Sequence, residues 1–382
     1  MNARTVLQKS ALSGFIPAGQ ISRSVRTLLS MLALYSAVVG WSQAVENLPG
    51  PPVPSNLSPG VAMKVPPAPA LSGIFSVRQR MQQARVSTNG ASAVTPAQTP
   101  APALETAKYY FVNITISNAA YVEPTAINNA GEVAGYYADA NFITHGFVWQ
   151  DGTVQTIDYP GATATAFGGI NNRGVLVGAY QDVSLNTFVV TYSLANSAWT
   201  VLPDIPGGWQ QEFYLDVGIN DDGIAVGCAG QFGLLSWVWH ADTQSYSYFT
   251  ASAAAEASTC ADAINNRRNV VGSMATAYSN SGFAFLRRNR DEYATISLPS
   301  SLSGTLTAPY GINNSDTIVG SFYTATSGSG FVRTRRGLFT VVNEPAYDYT
   351  YLSGINDFGV LCGFAYSSAT GESPGFVAYP QK

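Results

Sequence analysis

Short apolar runs follow one another from residue 108 to the end of the chain, separated by turns rich in Asn, Asp and Gly. Apolar residues at every second position are typical of strands that bury one face. In one stretch, the pattern predicts a strand ending at residues 125–127, a tight turn over 128–131 and a returning strand over 132–136. A third strand over 146–149 and a fourth over 153–158 complete an antiparallel group of four.

The same unit recurs six times. Each copy has a small residue, an Ile and then two turn-forming residues, and successive units begin 43, 49, 45, 48 and 43 residues apart. We expect the first turn residue to close its own hairpin by a side-chain-to-backbone hydrogen bond. These residues are Asn128, Asn171, Asn220, Asn265, Asn313 and Asn356. A glycine that relieves crowding in the second strand follows seven residues later, at Gly135, Gly178, Gly227, Gly272, Gly320 and Gly363.

An aromatic residue marks the third strand of each unit, 17 to 20 residues after the repeat asparagine. The six are Phe147, Phe188, Trp237, Phe283, Phe331 and Phe376. Four antiparallel strands in about 46 residues correspond to one propeller blade. The sequence therefore predicts an all-β, six-bladed propeller of four-stranded blades over residues 108–382. Small residues before each Ile let the inner strands approach the axis.

The two ends of the repeat region complement each other. The sixth unit stops after Tyr379 without a fourth strand, whereas residues 110–116 offer a spare strand before the first unit. Pairing the two would close the ring and leave no open sheet edge.

The region before the repeats has a different composition. Residues 1–44 carry four basic and no acidic residues, with an apolar stretch at 28–41 and small residues at Ser42 and Ala44, as in a secretory signal peptide. An uncleaved membrane anchor is the alternative. Residues 45–107 contain eleven prolines and predict a disordered linker, with one short amphipathic island at 72–85.

Charge and cysteine content narrow the chemistry. Only 11% of residues are charged, the net charge is −4, and the arginine runs are short, so we expect no nucleic-acid binding. Cys228, Cys260 and Cys362 contain no CxxC metal or redox motif, and a small buried side chain is the favoured role for each. A bridge between the first two is the alternative. We expect no cofactor; a calcium ion held by a ring of repeat asparagine oxygens in the axial channel is the alternative.

The repeated phrase G-I-N-N/D-x-G-x-x-V-G, followed by phrases such as residues 145–149, resembles the bacterial extracellular repeat called the HAF family. The resemblance covers about 108–379. It implies a secreted, periplasmic or envelope-associated bacterial repeat protein and brings no catalytic residues. The chain departs from the pattern at Arg268 and Asp316, where the turn glycine is expected, and only one of the six aromatic phrases contains His.

The connectors between units break the symmetry and carry aromatic and acidic residues. Such residues suit a sugar or peptide ligand. The candidate ligand-binding residues are Trp209, Tyr214, Asp216, Asp262, Tyr310 and Tyr349. We expect a monomeric, non-enzymatic binding module for a carbohydrate or a protein, touching a membrane only through an uncleaved N-terminal segment. The alternatives are a propeller hydrolase or lyase with a metal at the channel, which would use Asp216 or Asp262, and a purely structural surface protein.

Overall fold

The computed structural model is an all-β propeller built from antiparallel sheets of four strands. It describes residues 105–106, 108–205, 216–229, 235–251, 257–276, 283–288, 292–300, 302, 306–323 and 327–381. These residues belong to one compact unit. The predicted signal peptide lies outside the described residues, as does the linker apart from residues 105–106. No helix in the described part of the chain has the length and apolar character to cross a membrane.

Two strands precede the repeats, and each of the first four repeat units then forms a separate sheet. The leading strands are β1 (Glu105–Thr106) and β2 (Tyr109–Ile114). The first sheet contains β3 (Tyr121–Ile127), β4 (Val133–Ala138), β5 (Thr144–Gln150) and β6 (Thr153–Thr156). The second contains β7 (Ala164–Ile170), β8 (Val175–Gln181), β9 (Thr187–Ser193) and β10 (Ala198–Val201). The third contains β11 (Val217–Ile219), β12 (Ala225–Ala229), β13 (Leu235–His240) and β14 (Ser245–Phe249). The fourth contains β15 (Ala257–Ile264), β16 (Val270–Thr276), β17 (Phe283–Arg288) and β18 (Glu292–Ile296).

The last two repeat units share one nine-stranded sheet. The fifth unit contains β19 (Leu306–Ile312), β20 (Ile318–Tyr323), β21 (Gly328–Arg333) and β22 (Phe339–Val342). The sixth contains β23 (Tyr349–Ile355), β24 (Leu361–Tyr366) and β25 (Gly375–Pro380). A single parallel pair, Gly328 opposite Tyr349, joins the two units, and β1 adds to β22 in parallel.

The prediction of six separate blades is therefore wrong in its count, since only four sheets of four strands stand alone. The physical reason lies at Gly328. A Cβ at this position would come 2.8 Å from Cδ1 of Tyr349, so the missing side chain lets β23 approach β21 closely enough to pair. Within the large sheet, β19 to β22 still pair antiparallel in order.

The predicted closure by an N-terminal strand is confirmed. Strand β2 pairs antiparallel with β25 over six residues, from Tyr109 opposite Pro380 to Ile114 opposite Gly375. The sixth unit thereby gains the fourth strand that its own sequence lacks. The pairing covers the free edge of β25, because β2 takes up its hydrogen-bonding groups and becomes the outermost strand of the sheet.

The repeat glycines are explained by a β-bulge in the first strand. Five of the six first strands shift register two residues before the repeat Ile, as between Ala261 and Ala263 of β15. The bulge drives a carbonyl group against the second strand, and a Cβ at Gly272 would overlap the carbonyl oxygen of Cys260. The predicted role of these glycines in relieving crowding is confirmed.

The small residue before each Ile allows the first strands of adjacent units to meet. A Cβ at Gly218 would lie 2.8 Å from Cα of Ala263, and one at Gly354 would lie 2.9 Å from Cα of Ala126. Both distances are shorter than real side chains tolerate. The predicted convergence of the inner strands is therefore confirmed.

The aromatic marker of the third strand is correct in four units and misplaced in two. Phe147, Trp237, Phe331 and Phe376 each pair with the repeat glycine of their own unit. In the other two units the equivalent residues are Val190 and Phe285, two positions after Phe188 and Phe283. In each of these two units a phenylalanine stands two positions before the true equivalent, so choosing the first aromatic residue of the strand placed the marker too early.

Candidate functional site

The six repeat asparagines form a closed ring of hydrogen bonds around the propeller axis. Nδ2 of Asn128 donates to the carbonyl of Asn171 at 3.1 Å, and the series continues through all units until Asn356 donates to the carbonyl of Asn128. Oδ1 of Asn128 accepts from the backbone N–H groups of Ala130 and Glu132. The predicted hairpin-closing bond is confirmed, and the same amide also ties one repeat unit to the next.

A second ring is formed by the residue after each repeat asparagine. The backbone N–H of each such residue donates to the side-chain oxygen of its counterpart in the next unit, at 2.8–2.9 Å. The members are Asn129, Asn172, Asp221, Asn266, Asn314 and Asp357. The two acids occupy the third and sixth places, so each stands between two asparagines.

Each acid in the second ring accepts from both neighbouring amides. Oδ2 of Asp221 accepts from Asn172 at 3.0 Å and from Asn266 at 2.5 Å, and Oδ2 of Asp357 accepts from Asn129 and Asn314 at 2.8 Å. Burial raises the pKa of both carboxyls, but the side-chain and backbone hydrogen bonds together outweigh it and hold the pKa below its ordinary value. In the sequence these two acids look like simple turn substitutions for Asn. In the structure each is a carboxylate that accepts hydrogen bonds from the side-chain amides of both neighbouring units.

A small polar cavity lies on the axis at this end of the propeller. It measures about 70 Å³ and is lined by the Ile and the two turn residues of all six units. The calcium alternative required asparagine oxygens directed at an ion. Oδ1 of every repeat asparagine instead accepts two backbone N–H groups of its own turn, as Asn220 does from Asp222 and Ile224. The asparagine side chains around the axial cavity therefore serve to close their own turns and to join neighbouring repeat units.

The other end of the inner strands contains carboxyl groups from different blades. The candidates Asp262 and Tyr310 do not lie at that end, since they occupy the bulge positions of β15 and β19, three residues before the repeat asparagines, and both are buried. Glu123 in β3 is also buried and accepts a hydrogen bond from the hydroxyl of Tyr136. Burial and the charges of Glu123 and then Asp216 raise the pKa of Tyr136 well above its usual range. This end therefore combines negative charge with tyrosine hydroxyls.

Asp216 lies beside a disulfide bond that joins the third and fourth sheets. Cys228 of β12 is bonded to Cys260 of β15, and Oδ2 of Asp216 is 3.7 Å from the sulfur of Cys260. The favoured sequence interpretation, in which each cysteine was a small buried side chain, is wrong for this pair and holds for Cys362. Because the bulged strand β15 packs against β12, residues 32 positions apart come within bonding range. Burial raises the pKa of the free Cys362 thiol to about 12.

Tyr349 belongs to a group of aromatic side chains in the last two units, at the end opposite the asparagine rings. Its ring lies parallel to that of Tyr351, with centroids 6.4 Å apart, and contacts Tyr366 at 5.9 Å. Tyr351 is fully buried and stacks on Phe364, whereas Tyr349 is half-buried. The candidates Trp209 and Tyr214 lie outside the described residues.

His145 has carboxylate neighbours that the sequence did not reveal. Its Nδ1 lies 2.7 Å from Oδ2 of Asp158, its Nε2 lies 3.9 Å from Asp139, and its ring stacks on Tyr137. The two acids come from the β4–β5 loop and from the segment after β6, which meet only in the folded blade. The arrangement orients the imidazole on the outside of the first sheet.

Comparison with known proteins gives structural neighbours only. No protein-family model and no curated protein matches the chain. Among solved structures, the chain is similar to TolB from Acinetobacter baumannii, with 9% identity, a TM-score of 0.44 and coverage of 65% of this chain and 64% of that one. It is similar to the SapL1 lectin in complex with alpha methyl fucoside, with 10% identity, a TM-score of 0.41 and coverage of 69% and 94%. It is also similar to virginiamycin B lyase from Staphylococcus aureus, with 9% identity, a TM-score of 0.41 and coverage of 71% and 99%.

Proposed function

We propose that the chain is a non-enzymatic binding module that works outside the bacterial cytoplasm, secreted or held at the cell envelope. The observation that supports this is the difference between the two ends of the propeller. At one end, the polar side chains of all six units bond to each other in two closed rings. At the other end, the units differ from one another and offer carboxylates and tyrosines.

The proposal includes the sequence-based expectations about architecture. Six equivalent asparagines around one axis support a ring of six blades, two of which are joined at Gly328. We retain the HAF-type repeat as the proposed family, residues 1–44 as a signal peptide and residues 45–107 as a linker that spaces the propeller from its site of attachment. The disulfide bond supports an oxidising compartment, where such bonds persist.

The ligand class that fits the variable end is a neutral carbohydrate or a polar peptide. Tyrosine rings offer apolar faces with a hydroxyl group at the edge, which suits the alternating apolar and hydroxyl surfaces of a sugar. The half-buried Tyr349 and Asp216 are the described candidates whose side chains reach the surface there. Because these candidates lie at the ends of strands in a rigid sheet, few loops would have to become ordered when a ligand binds. Little conformational entropy of the protein would then be lost on binding.

The test is to screen the full chain against glycan, peptidoglycan and peptide arrays, and then to repeat the positive spots with Tyr349→Ala and Asp216→Asn. Binding that falls at least tenfold in both variants, and stays unchanged in Val201→Thr on the outer strand β10, would support the proposal. Melting temperatures of the variants serve as the folding control. No binding on any array, or binding unaffected by both substitutions, would favour the purely structural surface protein.

The second candidate is a hydrolase or lyase with a metal at the variable end. Its supporting observation is that Glu123 and Asp216, from the first and third units, both act on the same tyrosine hydroxyl. Carboxylate oxygens from two different units are the kind of ligand that a divalent cation takes. Native mass spectrometry of the chain purified without chelator decides between the two. One equivalent of calcium that is lost in Glu123→Gln would favour the enzyme.

A further inference from the structure

Seven described arginines gather at one end of the fourth and fifth repeat units. In an antiparallel sheet the first and third strands run the same way, so the turns that follow them lie at the same end. This is also the end that carries the asparagine rings. We call this group of side chains the arginine face. Its members are Arg267, Arg268, Arg287, Arg288, Arg333, Arg335 and Arg336.

The arginine face is unusual for this acidic protein. Residues 257–342 contain eight arginines, no lysine and four acids, whereas residues 121–201 contain one arginine and six acids. Asp316 is almost fully buried and lies within 3.3–3.5 Å of Arg267 and Arg335. The positive charge is therefore concentrated on one side of the ring, and the negative charge lies on the units across the axis from it.

Several guanidinium groups are available to an external anion. The side chains of Arg267, Arg268 and Arg335 are between 49% and 64% exposed despite their ion pairs. Among the described residues, Nη1 of Arg333 is buried and has no hydrogen-bond partner. Arg288 lies close enough to Arg333 for their charges to repel. Because Nη1 is closed off from solvent, an anion at the surface would relieve only the repulsion.

Large apolar side chains project at the same end. Phe358, in the turn between β23 and β24, is 69% exposed, and Leu338, in the turn between β21 and β22, is 39% exposed. An exposed aromatic ring at the same end as clustered arginines fits a surface that has anionic groups outside and apolar material beneath. A soluble polyanion would use the arginines and leave Phe358 in water.

We propose that the arginine face, with Phe358 and Leu338, docks on the surface of an anionic lipid bilayer. This goes beyond the ligand proposed for the opposite end and does not depend on it. Arginines near an anionic membrane attract it electrostatically, and apolar side chains at the interface add affinity by burial. The acidic first and second units would be repelled, so the propeller would lie tilted onto its fourth and fifth units.

The first experiment uses vesicle co-sedimentation of the full chain. Phosphatidylcholine vesicles with 30% phosphatidylglycerol are compared with phosphatidylcholine alone. We expect binding to the anionic vesicles only, weakened at least tenfold in Arg335→Glu/Arg336→Glu and by raised salt. Phe142→Ser, on an equally prominent side chain at the other end, is the matched control and should bind like the wild type. Equal binding to both vesicle types, or binding unaffected by the charge reversal, would overturn the proposal.

The second experiment separates docking of this face from attachment through the N-terminal segment. An environment-sensitive fluorophore is placed on Phe358→Cys and, in a second protein, on Phe142→Cys; the buried Cys362 and the disulfide do not compete for the label. We expect anionic vesicles to shift the emission of the label at position 358 to the blue and to leave that at 142 unchanged. The same emission at both positions, or a shift with soluble polyphosphate equal to that with vesicles, would contradict the proposal.

Discussion

The carboxylate of Asp316 accepts a hydrogen bond from the side-chain amide of Asn265, 2.9 Å away, across the boundary between the fourth and fifth repeat units. The same carboxylate accepts from Asn269 at 2.8 Å and lies near Arg267 and Arg335. Asp316 occupies the position where the repeat normally has glycine, and its φ is 61°. The left-handed backbone costs free energy, and the interunit bonds offset that cost.

Asp316→Gly should therefore destabilise the protein even though it restores the repeat consensus. It relieves the left-handed strain, worth about 1 kcal/mol, but removes the acceptor for two buried amides, each worth about 1–3 kcal/mol. We expect a net loss of roughly 1–5 kcal/mol, measured by chemical unfolding. An increase in stability would show that the carboxylate is not a link between the units.

Arg268→Gly should have the opposite sign. Arg268 also occupies the glycine position, with φ 62°, but its only described ion pair is with Asp222 at 3.5 Å, and both side chains are about half exposed. Such a pair contributes a few tenths of a kcal/mol, less than the strain that glycine removes. We expect a gain of about 0.5–1 kcal/mol. A lower melting temperature than the wild type would contradict it.

Gly272→Ala should cost about 3 kcal/mol or more in the free energy of unfolding. A Cβ at this position would overlap the carbonyl oxygen of Cys260 at the bulge, and neither backbone can retreat without breaking the β15–β16 pairing. The matched control is Gly131→Ala, which meets nothing within 4 Å but has φ +81°. The control should lose only about 1 kcal/mol. Equal losses at both sites would rule out crowding as the role of the repeat glycines.

The second ring predicts a dependence of stability on acid. Hydrogen bonds hold the folded-state pKa of Asp221 and Asp357 below the ordinary value, 3.8. A group with a lowered folded pKa contributes stability above its unfolded pKa and loses it as the pH falls through the folded value. The melting temperature should therefore drop as the pH decreases below about 4.

Asp221→Asn tests the origin of that dependence. The new amide cannot accept from Asn172 and Asn266 as the carboxylate does, so we expect a loss of roughly 1–3 kcal/mol at pH 7 and a smaller further loss in acid. Asp242→Asn, on an exposed turn, provides the comparison and should behave like the wild type. An unchanged acid profile in Asp221→Asn would mean that other carboxyls control it.

Loss of the disulfide bond should destabilise the third and fourth units. Cys228 and Cys260 close a loop of 32 residues between two sheets, and removing such a constraint costs about 2–4 kcal/mol. Cys228→Ala should lower the melting temperature in non-reducing buffer and abolish its response to reductant. Cys362→Ala leaves the bond intact and should keep that response. A wild-type melting temperature that is insensitive to reductant would argue against the bond.

Local rules made much of this propeller predictable from sequence. The turns at residues such as 128–131, the repeat glycines and the closing strand over residues 109–114 follow from strand periodicity, turn chemistry and the need to cover sheet edges. The left-handed conformations of Arg268 and Asp316 followed from the glycine position that they occupy. The positions of Val190 and Phe285 did not, because Phe188 and Phe283 stand two residues earlier and only the strand pairing shows which residue faces the repeat glycine.

The sequence by itself determined the repeat unit, because each unit is a short antiparallel group whose hydrogen bonds and turns are local. The tertiary structure alone decided which distant residues meet. Packing of the units around one axis places Asn128 beside both Asn171 and Asn356 and brings Cys228 against Cys260. It also places arginines from separate turns on one face. These contacts depend on how the ring closes, since only closure sets the angle and distance between units that are 43 to 49 residues apart in the chain.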